Sequence, residues 1–302
     1  MTNKSSYNSI LVYSFAVLAM LFWGLTFIWS KIVFEYYNPI ATITIRLLIS
    51  AVLLFFILLL FFREHLVYPK GKMRLFFMIA FFEPFLYFIG ESFGLQRVDA
   101  SITSVIISTI PVFTAIAGYY YFKERLTRAN LFGIFISFIG VLIMLINKDF
   151  GVTADPAGIL LLLLAVFSTI GYTILIKNTS REYHPVFIIF VQNLIGFFLF
   201  LPLFLLFDLD CVIQTKPNFE LVSSLFMLAV FGSSLAFIFF IYSIGKIGIA
   251  KANVFTNLIP IFTAIGAFFI LGEQFTFFKI TGMIIAIGGV YLTQRKKPKK
   301  TL

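Results

Sequence analysis

The chain has 302 residues, 61% of them hydrophobic and 12% charged, with a net charge of +10 and a mean hydropathy of +1.03. Soluble domains carry roughly 25% charged residues, so this composition excludes an ordinary water-soluble fold and predicts an all-α membrane protein. The positive charge sits between apolar runs and in the segment Arg295-Lys296-Lys297-Pro298-Lys299-Lys300, which suits membrane-flanking loops and argues against a nucleic-acid partner.

A helix that crosses the hydrocarbon needs about 20 mostly apolar residues. Ten such runs are predicted, at roughly 10–33, 39–62, 74–95, 99–121, 128–147, 157–176, 185–207, 221–243, 249–271 and 277–293. The first is too long for the apolar region of a signal peptide and reads as a retained span. It carries Trp23, Thr26 and Trp29 at helical spacing; stacking on a substrate and anchoring at the interface both fit. Span 2 brings Arg46, seven residues past Pro39 and therefore roughly 10 Å deep at ~1.5 Å per residue. Span 3 brings Glu83, near the midplane, and Glu91, about 7 Å from the same end as Arg46. A charged side chain at a span centre costs about 2.5–3.5 kcal/mol, so each of the three is a functional candidate.

An Arg46–Glu91 pair would neutralise both charges and line one end of a cavity. Glu83, Tyr87 and Glu91 recur every four residues and share a face if the helix is continuous, although Pro84 can kink it. A carboxyl at the position of Glu83 suits proton exchange, a substrate ammonium, or a structural hydrogen bond. Ser168 and Tyr172 in span 6, Gln192 and Asn193 in span 7, and Asn253 and Asn257 in span 9 either line a polar pathway or bond across helices. Pro111 and Pro260 fall mid-span and read as hinges or as fixed kinks.

Residues 94–143 align without a gap on 243–292, an offset of 149, with thirteen identities that include Pro111/Pro260, Glu124/Glu273, Gly133/Gly282 and Gly140/Gly289. A weaker match at offset 146 joins spans 1–2 to spans 6–7, placing Arg46 on Gln192. Residues 1–150 and 151–302 are thus expected to be two five-span repeats. Seventeen Lys and Arg fall on one side of the predicted membrane and five on the other, with Arg46 inside a span. The positive-inside rule then puts both termini in the cytoplasm. Five spans per half makes the repeats antiparallel, the arrangement from which alternating access is built. The glycines of spans 5 and 10 recur every seven residues and read as a close-packing stripe.

These features resemble the drug/metabolite transporter superfamily, EamA-type. The resemblance rests on ten spans in two repeats, Phe22-Trp23-Gly24 with Lys31, Arg46 in span 2, the Ala100–Pro111 and Ala250–Pro260 helices, the Glu after each, and the paired glycines. It implies a carrier of small polar or amphiphilic metabolites, amino acids or related compounds, exported across the cytoplasmic membrane. Two features depart from the pattern: Thr169-Ile170 stands where members carry an aromatic-small pair, and span 3 holds two acids. No G-x-x-x-x-G-K-[ST] motif occurs, so a solute or proton gradient is the expected energy source. A proton-independent facilitator is the alternative; a membrane-embedded enzyme lacks the nucleophile and histidine company it would need. The single cysteine, Cys211, leaves no internal disulfide, and neither metal nor cofactor is expected.

Overall fold

The computed structural model describes residues 9–67, 69, 71–122, 127–146, 154–247, 252 and 255–294, and holds no strand among them. In chain order the helices are α1 (Ser9–Val33), α2 (Pro39–Phe61), α3 (Met73–Ala80), α4 (Tyr87–Arg97), α5 (Ala100–Ser108), α6 (Ile110–Phe122), α7 (Arg128–Met144) and α8 (Pro156–Glu182). They continue with α9 (Pro185–Leu203), α10 (Leu209–Gln214), α11 (Phe219–Met227), α12 (Ala236–Ile247), α13 (Ile259–Phe269) and α14 (Phe277–Gln294). Seven helical stretches are long and apolar enough to cross a membrane, and Arg128–Met144, Phe255–Phe269 and Phe277–Thr293 are shorter apolar helices. The expected run 185–207 is too short: the helix continues through a wide turn, Phe204–Asp208, to Gln214.

Local sequence explains where the helices start and break. Proline opens α2, α8 and α9, where its missing N–H costs nothing. A carboxylate from another helix caps α2: buried Asp208 accepts from Asn38 Nδ2 at 3.1 Å and from Ala41 N at 2.8 Å. Thr127 and Asn130 form a reciprocal capping box at α7. Span 3 breaks between α3 and α4, where Glu83 has extended backbone, φ −144° and ψ 113°. Pro84 supplies the cause, because its ring disfavours helical backbone in the preceding residue. The single continuous face predicted for Glu83, Tyr87 and Glu91 is therefore corrected: Tyr87 and Glu91 lie one turn apart on α4, and Glu83 sits on the break.

A second wide turn, Leu228–Leu235, joins α11 to α12. There Ser234 Oγ donates to Ala229 O, five residues back, at 3.0 Å, which satisfies a carbonyl that the wide turn frees.

The interface of α7 follows the logic of a lipid solvent, with mostly small residues inside and large apolar ones outside. On α7 the buried positions are Asn130, Gly133, Ser137, Gly140 and Met144, whereas Phe132, Phe135 and Leu142 face outward. The glycines meet those of α14. A Cβ added at Gly133 would lie 2.7 Å from Gly289 O, and one at Gly282 would lie 2.6 Å from Gly140 O. The predicted stripe is thus a backbone-to-backbone crossing. Elsewhere α1 packs on α12 and α13, α2 on α9, and α4 on α8.

One end of the bundle is tied by charge. Glu273, in the α13–α14 connection, accepts from Ala100 N at 2.6 Å and from Ser101 Oγ at 2.5 Å, capping α5. Lys279 Nζ donates to Glu273 Oε2 at 3.1 Å and to Asp99 Oδ2 at 2.9 Å, and lies 4.9 Å from the Phe275 ring centroid. Residues 99–101 and 273–279, far apart in sequence, thereby share one ionic cluster.

The start of α9 carries a titratable feature. His184 stacks on His65, centroids 4.5 Å apart at 10°, and on Phe62 at 4.7 Å. Burial, followed by the neighbouring His65, holds the His184 imidazole below its ordinary 6.5, with Glu64 opposing. The folded protein therefore resists a proton that the unfolded chain accepts, so stability is full above about 6.5 and is lost as pH falls. Thermal unfolding between pH 7 and 5 is expected to show this decline, and His184→Asn to remove that part of it.

Candidate functional site

The three charges of the spans lie on α2, on the α3–α4 break and on α4, and Arg46 reaches the α11–α12 turn. Arg46 projects from α2 and is 5% exposed. Its Nε donates to Ser233 Oγ at 2.6 Å, and its guanidinium carbon lies 4.4 Å from the Phe88 ring centroid. A hydrogen bond and a cation–π contact thus hold the side chain in place. The wide turn supplies more: Ser50 Oγ lies 3.2 Å from Ser233 O and 2.8 Å from Ser234 Oγ, and accepts from Asn193 Nδ2 at 2.9 Å. Gly232 gives Thr26 room, since a Cβ added there would collide with Thr26 Cγ2, while Arg46 Nη2 would stand at an ordinary 3.6 Å.

Glu91 is buried on α4 and accepts a long bond from Ser92 Oγ at 3.4 Å. It lies within electrostatic reach of Arg46, yet the ion pairs among the described residues do not include the two within 4.0 Å. The expected direct Arg46–Glu91 ion pair is therefore not formed among the described residues. Arg46 takes Ser233 instead, because the wide turn brings that hydroxyl closer.

Glu83 stands apart. It lies on the α3–α4 break and is partly exposed, as are Tyr87 and Tyr172. The break that carries it packs on α8, the helix of Tyr172, and runs directly into Tyr87. Tyr172, on α8, donates its OH to Gln192 Oε1 of α9 at 3.5 Å. Glu83, Tyr87, Tyr172 and Gln192 therefore lie on elements packed together, and Asn193 belongs to the Ser50 network beside Arg46.

Trp23 meets Phe237 and Phe240 edge-on, each 5.1 Å between centroids, and Thr26 Oγ1 donates back to Trp23 O at 2.7 Å. Asn253 lies outside the described residues; Asn257 is buried in the turn Phe255–Leu258. Ser104, Ser108 and Ser168 donate to carbonyls of their own helices. Pro111 follows the α5–α6 break at Thr109, and Pro260 follows the turn that opens α13, so both sit where helical winding changes. Sequence reasoning missed Ser50, Ser233, Ser234 and Phe88. The signal available was Ser50 four residues after Arg46, and two serines following Gly232.

The profile of the EamA-like transporter family matches residues 10–146 and 156–295. An uncharacterized transporter of Archaeoglobus fulgidus is 28% identical over 284 residues, covering 93% of this chain and 96% of that protein. A probable amino-acid metabolite efflux pump of Salmonella typhimurium is 25% identical over 292 residues, 92% of each chain. A solved crystal structure shares the fold with a TM-score of 0.68 at 14% identity, covering 95% of this chain and 96% of that one.

Proposed function

Since this multi-pass membrane protein belongs to the EamA-like transporter family, we propose that it is a secondary carrier that moves small polar or amphiphilic metabolites, amino acids or related compounds, outward by alternating access, with proton exchange at Glu83. The observation that carries the reading is Glu83 itself. A partly exposed carboxyl on a helix break that packs against the helix of Tyr172 supports the holding of a proton or a substrate ammonium in turn. An architectural acid would be expected to have a fixed polar partner, whereas the Tyr172 hydroxyl is engaged with Gln192.

Ten spans in two inverted repeats, 1–150 and 151–302, complete the proposal. It is supported by the two stretches matched by the family profile and by the mutual glycine contacts of α7 and α14. The loop charges favour both termini in the cytoplasm and residence in the cytoplasmic membrane. The efflux-pump relative favours export of amino-acid metabolites.

The test is untargeted metabolomics of the medium from cells that express the chain, beside cells with an empty vector. One or a few solutes are expected to accumulate outside only with the chain. No difference between the two media overturns export of common metabolites. Accumulation unaffected by an imposed pH gradient overturns the proton step and leaves a facilitator.

A further inference from the structure

Three residues around Arg46 and three around Glu83 occupy equivalent places in the repeat. The offset of 146 carries Thr26 to Tyr172 and Arg46 to Gln192, and the offset of 149 carries Glu83 to Gly232. In space, Gly232 abuts Thr26 and the Arg46 guanidinium. In the counterpart, the break that carries Glu83 packs on α8 and α9, and the Tyr172 hydroxyl reaches Gln192. Each trio holds one charge, and they are opposite in sign. Where one trio has Arg the other has Gln, and where one has Glu the other has Gly.

The equivalence extends to the supporting contacts. Ser50 bonds Ser233 O at 3.2 Å; its counterparts Gly196 and Pro84 touch. Asn193 bonds Ser50 at 2.9 Å, and the counterpart Leu47 Cδ1 lies 3.2 Å from a Cβ added at Gly196. Asn130 N donates to Thr127 Oγ1 at 3.2 Å, as Lys279 N does to Thr276 Oγ1 at 3.2 Å.

Exposure breaks the symmetry. Glu83 and Tyr172 are partly exposed while their mates Gly232 and Thr26 are buried; Arg46 and its mate Gln192 are both buried, at 5% and 3% exposure. In an inverted repeat the opposite conformer follows when the halves exchange roles.

We propose that the trios are two copies of one half-site, the acidic copy open here and the basic copy closed, and that they open in turn. An organic ammonium is drawn to Glu83 on one side of the membrane, and the exposed Arg46 repels it on the other. Glu91 forms no ion pair with Arg46 among the described residues; its own counterpart, Phe240, is neutral. The inference rests on the carrier reading above and adds to it the class of substrate and the residue pairs, 46/192 and 83/232, that set it.

The experiment needs no known substrate. In a Cys211→Ser background, single cysteines replace Tyr172 or Thr26, and oriented vesicles are treated with cationic and anionic methanethiosulfonates of similar size. The cationic reagent is expected to react about tenfold faster at position 172, as one nearby unit charge in a site of intermediate dielectric would give. The preference should reverse at position 26, from the other face of the membrane. Glu83→Gln and Arg46→Gln should abolish the respective preferences. The same charge preference at both positions overturns the proposal, and so does labelling of both from one face or no labelling at 26 under any gradient. Should either reporter fail to accumulate, Trp23→Cys and Thr169→Cys, related by the same offset, replace the pair. Secretion that fails while the labelling pattern holds defeats the export reading alone; the reverse defeats only the paired half-sites.

Discussion

Glu83→Gln is expected to cut solute export about 10- to 150-fold, while the protein reaches the membrane in undiminished amount. The magnitude follows from losing one contact to a charged group, about 1.5–3 kcal/mol, converted to a rate ratio. The stability half of the expectation comes from solvation: a charge at a span centre costs about 2.5–3.5 kcal/mol, and Gln keeps the shape without the charge. Detergent-solubilised protein should therefore melt at the same temperature as the parent or higher. Export measured at equal membrane abundance, beside a thermal melt, checks both halves. Equal export by the two proteins would reduce Glu83 to a structural acid and remove the proton step. Arg46→Gln serves as a contrast, since it leaves Ser233 without its donor and removes the charge that Glu91 faces; melting temperature should fall there together with export.

Gly140→Leu is expected to destabilise the fold by about 3 kcal/mol or more, the upper range for overpacking. The added Cβ would collide with the Ala286 backbone and lie 2.7 Å from Gly282 O, and neither helix can yield without breaking the seam. Gly288→Ala, one residue from the seam, provides the control. Nothing lies within 4 Å of a Cβ added there, so the change should be neutral or stabilise by up to about 1 kcal/mol through helix propensity. Monodispersity on size exclusion and the melting temperature of each purified variant decide the matter. Equal behaviour of the two variants would remove the glycine seam as a determinant of the fold.

Helix placement was legible in the sequence because the bilayer imposes a length and an apolar composition that few other constraints mimic. The starts at Pro39 and Pro185 and the glycine stripe were readable for the same reason: proline and glycine act through backbone sterics that depend little on distant residues. The breaks were harder. Pro84 announced a kink, yet the extended backbone falls on Glu83 and removes it from the face shared by Tyr87 and Glu91. The wide turns at 204–208 and 228–235 left little mark in the sequence, because an i→i+5 turn depends on what packs beside it. That is also why Ser233, rather than Glu91, was not seen as the partner of Arg46. Charge alone paired Arg46 with Glu91; the turn that delivers Ser233 appears only once α11 and α12 lie against α2.

The cap on α5 sets an order of events in synthesis. Residues 100–108 leave the ribosome long before Glu273 and Lys279 exist, and α7 is made long before its glycine partner on α14. Until the last quarter of the chain is threaded into the bilayer, the first amides of α5 lack their carboxylate and the narrow groove of α7 lies open to lipid or to a chaperone. A chain that stops before residue 273 therefore holds most of its helices but leaves the start of α5 without its carboxylate cap.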